Sequence, residues 1–520
     1  MLFSRPNRSA ATLTTTRVDP APESGICVTC VDGCEGPCEV GRSALRGREV
    51  LYPCPFGRVT AGGEKIYPVN FSHFNIQGTC VGAHGCEADS DKATFPAVDY
   101  ATRLGSWKLK VPVFTGALGS TDIARNHWDS LAVGAAICGT VVTVGENVCG
   151  MDPAAEIKNG RVVRSPELER RVEVFKRWYD GEHGGIIVQA NVEDGRLGVP
   201  EYVIGKLGVE CFELKWGQGA KNIGGEVKLP SLARALQLKE RGYIVLPDPA
   251  AAVIEEQFKL GGITGFERHS RLGMVVEEEF YKSVEYLREV GAKMVSLKTG
   301  AYRPADLARA VKFASNAKVD ILTVDGAGGG TGMSPWRMMN EWGIPTLYLE
   351  SLLYRYLEKI AAKGGHVPSC AVAGGLSLED HLFKAIALGA PYVKAVCLGR
   401  AIMAAAMVGN THGRLLKEKM EMTGQDLEPG LLQLFSGAVT LKERYGKDLE
   451  TLPPGAIGMY TYLERLMQGL QQLMAGARKF ALEYIDRSDL VALTEEAAKI
   501  SGIPYVMESD EEEAERILEG

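Results

Sequence analysis

The sequence has no uninterrupted apolar run of membrane-spanning length, which excludes a transmembrane helix as its organising element. It has no basic surplus either: 58 Lys and Arg stand against 65 Asp and Glu, and the net charge of −7 argues against nucleic acid as the main partner. The opening stretch MLFSRPNRSAATLTTTRVDP lacks the apolar centre of a secretory signal. It reads as a flexible N-terminus over 1–25, and a cytoplasmic location is expected. Histidine is scarce, and His183, His269, His366 and His381 fall in separate segments with no nucleophile motif beside them, so a hydrolytic triad is not expected. No GxGxxG opens a first helix, which weighs against a doubly wound dinucleotide fold.

What is present from about residue 105 is an alternation of short β-branched strands with amphipathic helical patterns. Candidate strands lie at 111–115, 137–143, 186–189, 211–215, 294–298, 320–324, 370–373 and 392–397. Eight such strands favour a closed (β/α)8 TIM barrel in the α/β class over an open sheet. The interval 216–293 is too long for one crossover and must hold an insertion. The expected organisation is a Cys-rich region over 26–104, the barrel over 105–410 and a helical C-terminal extension over 411–520. The run ESDEEEAERILE near the end reads as an acidic, solvated helix face.

Three strand ends open onto glycine. They are VDGAGGGTGMSP from Val324, VAGGLS from Val372 and CLGRA from Cys397. Glycine lets backbone N–H groups approach phosphate oxygens that a side chain would hold off. The last two strands of a barrel are where this fold holds phosphate, so the loops predict a phosphate pocket. A further cluster is FELKWGQGAKNIGGEVKLP (212–230). Its strand delivers Lys215, and its loop offers Gln218 and Lys221. Two lysines and an amide at a barrel mouth suit a flavin and a small carboxylate, although two surface lysines on a turn would give the same pattern.

Twelve cysteines are unevenly spread. Cys138, Cys149, Cys211, Cys370 and Cys397 sit in apolar runs and read as small buried hydrophobes. Cys27, Cys30, Cys34 and Cys38 are spaced C-x2-C-x3-C-x3-C, and Cys54 follows with a proline. Such density in a reducing compartment points to metal. An iron–sulfur cluster, a structural zinc, or free thiols and disulfides are the three readings, and Cys80 and Cys86 either complete the set or are buried.

The stretch DGRLGVPEYVIGKLGVECFELKWGQGAKNIGGEVKLP (194–230) resembles the corresponding stretch of glutamate synthases. VDGAGGGTGMSP, GIPTLYLES, VAGGLSLED and RSDL fall in matching order over roughly 107–490. The resemblance implies an FMN-binding barrel. On it, Thr115, Gly116 and Ala117 would present backbone to the flavin ring. Glu146 lies near the family's acidic substrate-loop position, Gln189 and Arg196 match the glutamine and arginine before the substrate strand, and Lys215 matches the lysine near the flavin. Gln218 and Lys221 match the pair that holds 2-oxoglutarate. Lys298 matches a strand-five lysine, and Gly326, Gly329, Gly330 and Thr331 form the strand-six loop. Gly374, Gly375, Gly399 and Arg400 would cradle the FMN phosphate.

Three departures qualify this. The chain begins Met1-Leu2, so the family's glutaminase domain with its N-terminal cysteine is not expected within it. The stretch after Ile402, MAAAMVGNTHGRLLKEK, contains no cysteine where the family holds a three-iron cluster, so that cluster is expected to be absent. Val188 replaces a lysine, and the loop after Lys221 is shorter, which leaves the substrate open. The resulting expectation is an FMN oxidoreductase that reduces a 2-oxoglutarate-derived imine, with ammonia from a separate glutaminase subunit, electrons from a donor subunit or the N-terminal cysteines, and an oligomeric assembly. The alternative is a flavin and iron–sulfur electron-transfer subunit of a larger complex. An IMP-dehydrogenase-like barrel is disfavoured because no catalytic cysteine loop follows strand six.

Overall fold

The computed structural model describes residues 65–219, 227–329 and 334–520, together with Val40, Ala44 and Leu45. Eight parallel strands close into a barrel in chain order. They are β1 (Val113–Leu118), β2 (Val141–Val144), β3 (Gly185–Ala190), β4 (Cys211–Lys215), β5 (Met294–Thr299), β6 (Ile321–Asp325), β7 (Ser369–Ala373) and β8 (Val393–Leu398). Closure is made by β8 on β1, with Val396 opposite Val113 and Leu398 opposite Thr115. All eight expected strands are present. Residue Ile137 is the exception in detail: it ends the helix Trp128–Ile137 rather than starting β2. That helix is buried along almost its whole length, so its sequence carries no polar stripe to betray the 3.6-residue period.

Both faces of a barrel strand are covered, so alternation selects between two kinds of interior. Val142, Val188, Phe212, Val295, Leu297 and Leu322 point outward to the helices in the main core. Val141, Ile187, Cys211, Met294 and Ile321 point inward and make a separate apolar cluster. That cluster is sealed at the N-terminal end by the hairpin Thr102–Leu104 with Trp107–Leu109, whose Leu104, Trp107 and Leu109 join it. The mouth at the other end is left for chemistry.

The insertion between β4 and β5 is a lobe with its own core of Leu229, Ala235, Leu238, Tyr243, Val245 and Phe266. Its sheet is antiparallel, with Phe266–His269 central between Val227–Leu229 and Ile244–Leu246. The C-terminal extension is helical as expected, dominated by Arg400–Thr423 packed on Pro454–Gly476. The short strand Phe74–Ile76 pairs antiparallel with Leu490–Ala492, tying the beginning of the described chain to its end. The acidic run forms the helix Glu511–Glu519 with no buried residue. Among the described residues no helix is long and apolar enough to cross a membrane.

Candidate active site at the barrel mouth

The C-terminal ends of β2 and β4 bring together the first chemical pair. Lys215 ends β4, and its Nζ donates to Glu146 Oε1 in the turn after β2; both side chains are nearly buried. A second pair lies beside it, where Lys298 Nζ on β5 stands 3.1 Å from Asp325 Oδ2 at the end of β6. Burial alone would lower the Lys298 pKa, but the adjacent Asp325 charge outweighs it and holds the ammonium well above the ordinary lysine range.

Beneath these pairs the interior is polar rather than apolar. Gln189 Nε2 donates to Glu213 Oε1 at 2.6 Å, and Ser296 Oγ donates to Glu213 Oε2 at 2.7 Å. Burial raises the Glu213 pKa, against the pull of Lys298, Ser296 and Gln189. Gln189 is thus engaged one layer down inside the barrel.

The turn that carries Glu146 is held from two sides. Asn147, in the left-handed region at φ 66°, donates its backbone N–H to Asp194 Oδ2 at 2.9 Å. Its side-chain Oδ1 accepts from Tyr243 of the lobe at 3.2 Å. The lobe adds Arg241, which donates to Gly150 O at 2.8 Å and Asp152 O at 2.7 Å, and Arg271, which pairs with Glu193 at 2.9 Å. Asp194 is fully enclosed, and burial pushes its carboxyl up to about 7, opposed by the N–H groups of Asn147 and Asn191.

The glycine loops converge on the opposite side of the mouth. Gly326 donates its N–H to Ala373 O, joining the loops after β6 and β7. A Cβ on Gly375 would stand 2.6 Å from Gly328 O, and one on Gly374 would stand 2.3 Å from Thr346 Oγ1 and 2.8 Å from Gly326 O. Both have positive φ, 126° and 85° for Gly374 and Gly375. Only glycine permits this approach. Gly399 precedes the helix Arg400–Thr423 and has open space where a Cβ would stand, so the amide end of a long helix faces outward there with the exposed Arg400. Gly116 on β1 lies against Cys397 and Gly399, Thr115 is fully buried with its hydroxyl unpaired, and Ala117 is half-buried. A cleft of about 370 Å3 runs along the loops, lined by Gly328, Gly374, Gly375, Thr346, Asn70 and His381.

The remaining expected residues divide. Gly329 lies in the β6 loop, and Gln218 is half-buried in the turn after β4, whose Gly219 O accepts from Ala301 of the β5 loop at 3.3 Å. Arg196 is exposed in the last turn of the helix Val192–Leu197. Lys221, Gly330 and Thr331 lie outside the described residues, as do Cys27, Cys30, Cys34, Cys38 and Cys54. Among the described residues no group of three or more His, Cys, Asp or Glu could hold a metal ion. The five cysteines expected to be buried are buried, while Cys80 is exposed and Cys86 half-buried.

Sequence reasoning missed Glu213, Ser296, Asp194 and His381. Strand parity counted back from Lys215 and Lys298 would have found Glu213 and Ser296. His381, set aside in the sequence for want of a nucleophile motif beside it, lines the cleft. It accepts at Nδ1 from Ser377 N–H at 3.1 Å, and burial lowers its pKa, so the ring is neutral.

A family model described as the conserved region in glutamate synthase matches residues 268–410, from the lobe's central strand through β5–β8 and their glycine loops. Over this region the chain is similar to glutamate synthases. Among curated relatives, the archaeal-type glutamate synthase [NADPH] of Thermotoga neapolitana is 29% identical over 57% of this chain and 49% of its own length. A glutamate synthase large subunit-like protein of Rhizobium meliloti is 28% identical over 42% of this chain and 48% of its own. The chain thus spans about half the length of the glutamate synthase relatives it matches. Among solved structures, (S)-mandelate dehydrogenase is similar at a TM-score of 0.45 and 12% identity, covering 81% of this chain and 88% of that one.

Proposed function

We propose that this chain is an FMN-dependent oxidoreductase of the glutamate synthase type. It would reduce a 2-oxoglutarate-derived imine, or a related substrate, to an amino acid. The observation that carries this reading is the placing of the Lys215–Glu146 pair across the barrel mouth from two loops whose backbones only glycine allows to approach, with the helix end after Gly399 beside them. Those loops fit a flavin phosphate: Gly374, Gly375 and Gly399 would offer N–H groups, the helix end after Gly399 adds a favourable dipole, and Arg400 supplies a forked cation. Gly326 and Gly329, with Gly330 and Thr331, would border the ring, and Thr115, Gly116 and Ala117 would face it from β1. FMN, when bound, supplies hydride transfer.

The chain's own groups would do the rest. Lys215 would present Nζ to the substrate nitrogen, and its ion pair with Glu146 would aim it. Gln218, Lys221 and Arg196 would bind the substrate carboxylates, with Arg and Lys serving as paired cations. Lys298, fixed by Asp325, would stand as a permanent positive charge beside the ring. Ammonia is assigned to a partner subunit and electrons to a donor subunit or to metal at Cys27, Cys30, Cys34, Cys38 and Cys54, which would be iron–sulfur or zinc.

The test is anaerobic purification followed by flavin and iron analysis. Arg400→Ala is expected to lose most of the FMN, and Lys221→Ala to retain it; equal content in the two variants refutes the phosphate site. The photoreduced protein is then given 2-oxoglutarate and ammonia. Reoxidation of the flavin supports the synthase reading. A bound flavin that stays reduced assigns the chain instead to electron transfer within a complex, and a flavin-free protein refutes both.

A further inference from the structure

The barrel interior changes character one layer above its apolar floor. On five consecutive strands, the residue two positions beyond an inward apolar residue is polar: Thr143 after Val141, Gln189 after Ile187, Glu213 after Cys211, Ser296 after Met294 and Thr323 after Ile321. Alternation puts all five on the same inward face. Each is at most 2% exposed. A barrel interior is ordinarily filled by bulky branched side chains. Beside Thr323 on the next two strands the inward positions in register are Ala371 and Ala395, with Ala373 and Cys397 above them.

Three atoms of this layer have no hydrogen-bond partner in the protein: Thr143 Oγ1, Gln189 Oε1 and Thr323 Oγ1. Buried polar atoms are nearly always paired, with protein or with ordered water. Three orphans on three strands, with small alanines beside Thr323, supply the several polar partners that a water site requires. At the centre stands Glu213, whose two oxygens already accept from Gln189 and Ser296.

We propose that this layer is a hydrated chamber and that Glu213 is an exchangeable proton store within it, beneath the Lys215–Glu146 and Lys298–Asp325 pairs. The charged and titratable groups around it are Lys215 on its own strand, Lys298 on β5, Asp325 on β6, Cys397 on β8 and Cys211 below. Burial favours the proton-bound form of Glu213, and the Ser296 hydroxyl can turn from donor to acceptor when the proton arrives. When a proton leaves through water to a neutral amine at the mouth, the carboxylate that remains is stabilised by Lys298, Gln189 and Ser296, and the amine becomes the ammonium. No electrons move, and bulk water restores the proton. The chamber does not depend on which substrate the mouth takes, so this inference and the proposed function fail separately.

The experiment uses the full chain. Infrared spectra in H2O and D2O, taken as wild type minus Glu213→Gln, are expected to show a protonated-carboxyl band that shifts within minutes of transfer to D2O. Absence of that band, or a band that resists exchange for hours, overturns the proposal. Thr143→Val and Thr323→Val keep the fold testable if Glu213→Gln does not fold. If water meets these hydroxyls, each valine lowers Tm, by about 1 °C. If the layer is dry, deleting an unsatisfied hydroxyl removes a desolvation cost and Tm rises, which also overturns it.

Discussion

Replacing Asp194 by Asn should flatten the pH dependence of stability, and the size of the effect follows from its burial. The carboxyl is enclosed beneath the Glu146–Asn147 turn, which pushes it from the ordinary 3.8 up to about 7. A carboxyl whose folded pKa lies above its unfolded one binds its proton more tightly when folded. The unfolded chain releases that proton first, so stability falls as pH rises from about 4 to about 7 and is level above. About three pH units at about 1.4 kcal/mol each amount to about 4 kcal/mol across the window, of which about 3 lies between about pH 5 and pH 8. Asn cannot titrate, and it keeps one acceptor oxygen for the Asn147 or Asn191 N–H, at a fixed cost of about 1–2 kcal/mol. The assay is urea unfolding at a series of pH values, comparing midpoints multiplied by the common slope. Relative to wild type, the variant is expected to gain about 3 kcal/mol between about pH 5 and pH 8. A wild-type-minus-variant difference that stays constant over that range would refute the assignment of this titration to Asp194.

Three further outcomes are expected. Lys298→Met leaves Asp325 buried without its cation and should cost about 3–5 kcal/mol in urea unfolding, with Lys298→Met/Asp325→Leu recovering most of it; an equal loss in the double variant would deny the pairing. Gly374→Ala places a Cβ 2.3 Å from Thr346 Oγ1 at a φ of 126°, so the loops after β6 and β7 must part, with Tm and retained flavin falling together. Glu350 is fully buried with both oxygens unpaired and its carboxyl well above the ordinary range, so Glu350→Gln should match wild type near pH 4 and exceed its Tm increasingly as pH rises; a constant offset would show that Glu350 does not titrate there.

The barrel, its order and its glycine loops could be read from the chain because each rests on local chemistry. Eight short apolar runs separated by amphipathic helices admit few arrangements, and glycines packed as in VDGAGGG and VAGGLS have no role in a strand or helix interior. Lys215 and Glu146 were named individually, as was Lys298. Tertiary structure alone decided their partners, since Glu146 meets Lys215 across 69 residues of chain and Lys298 meets Asp325 through the register of adjacent strands. The same holds for Asp194: nothing local distinguishes it from a solvated helix-capping acid, and only enclosure under Asn147 makes its ionisation costly. Gln189 shows the limit most plainly. Strand parity puts its side chain inside the barrel, but its hydrogen bond to Glu213 depends on the register between β3 and β4, which is set only when the barrel closes.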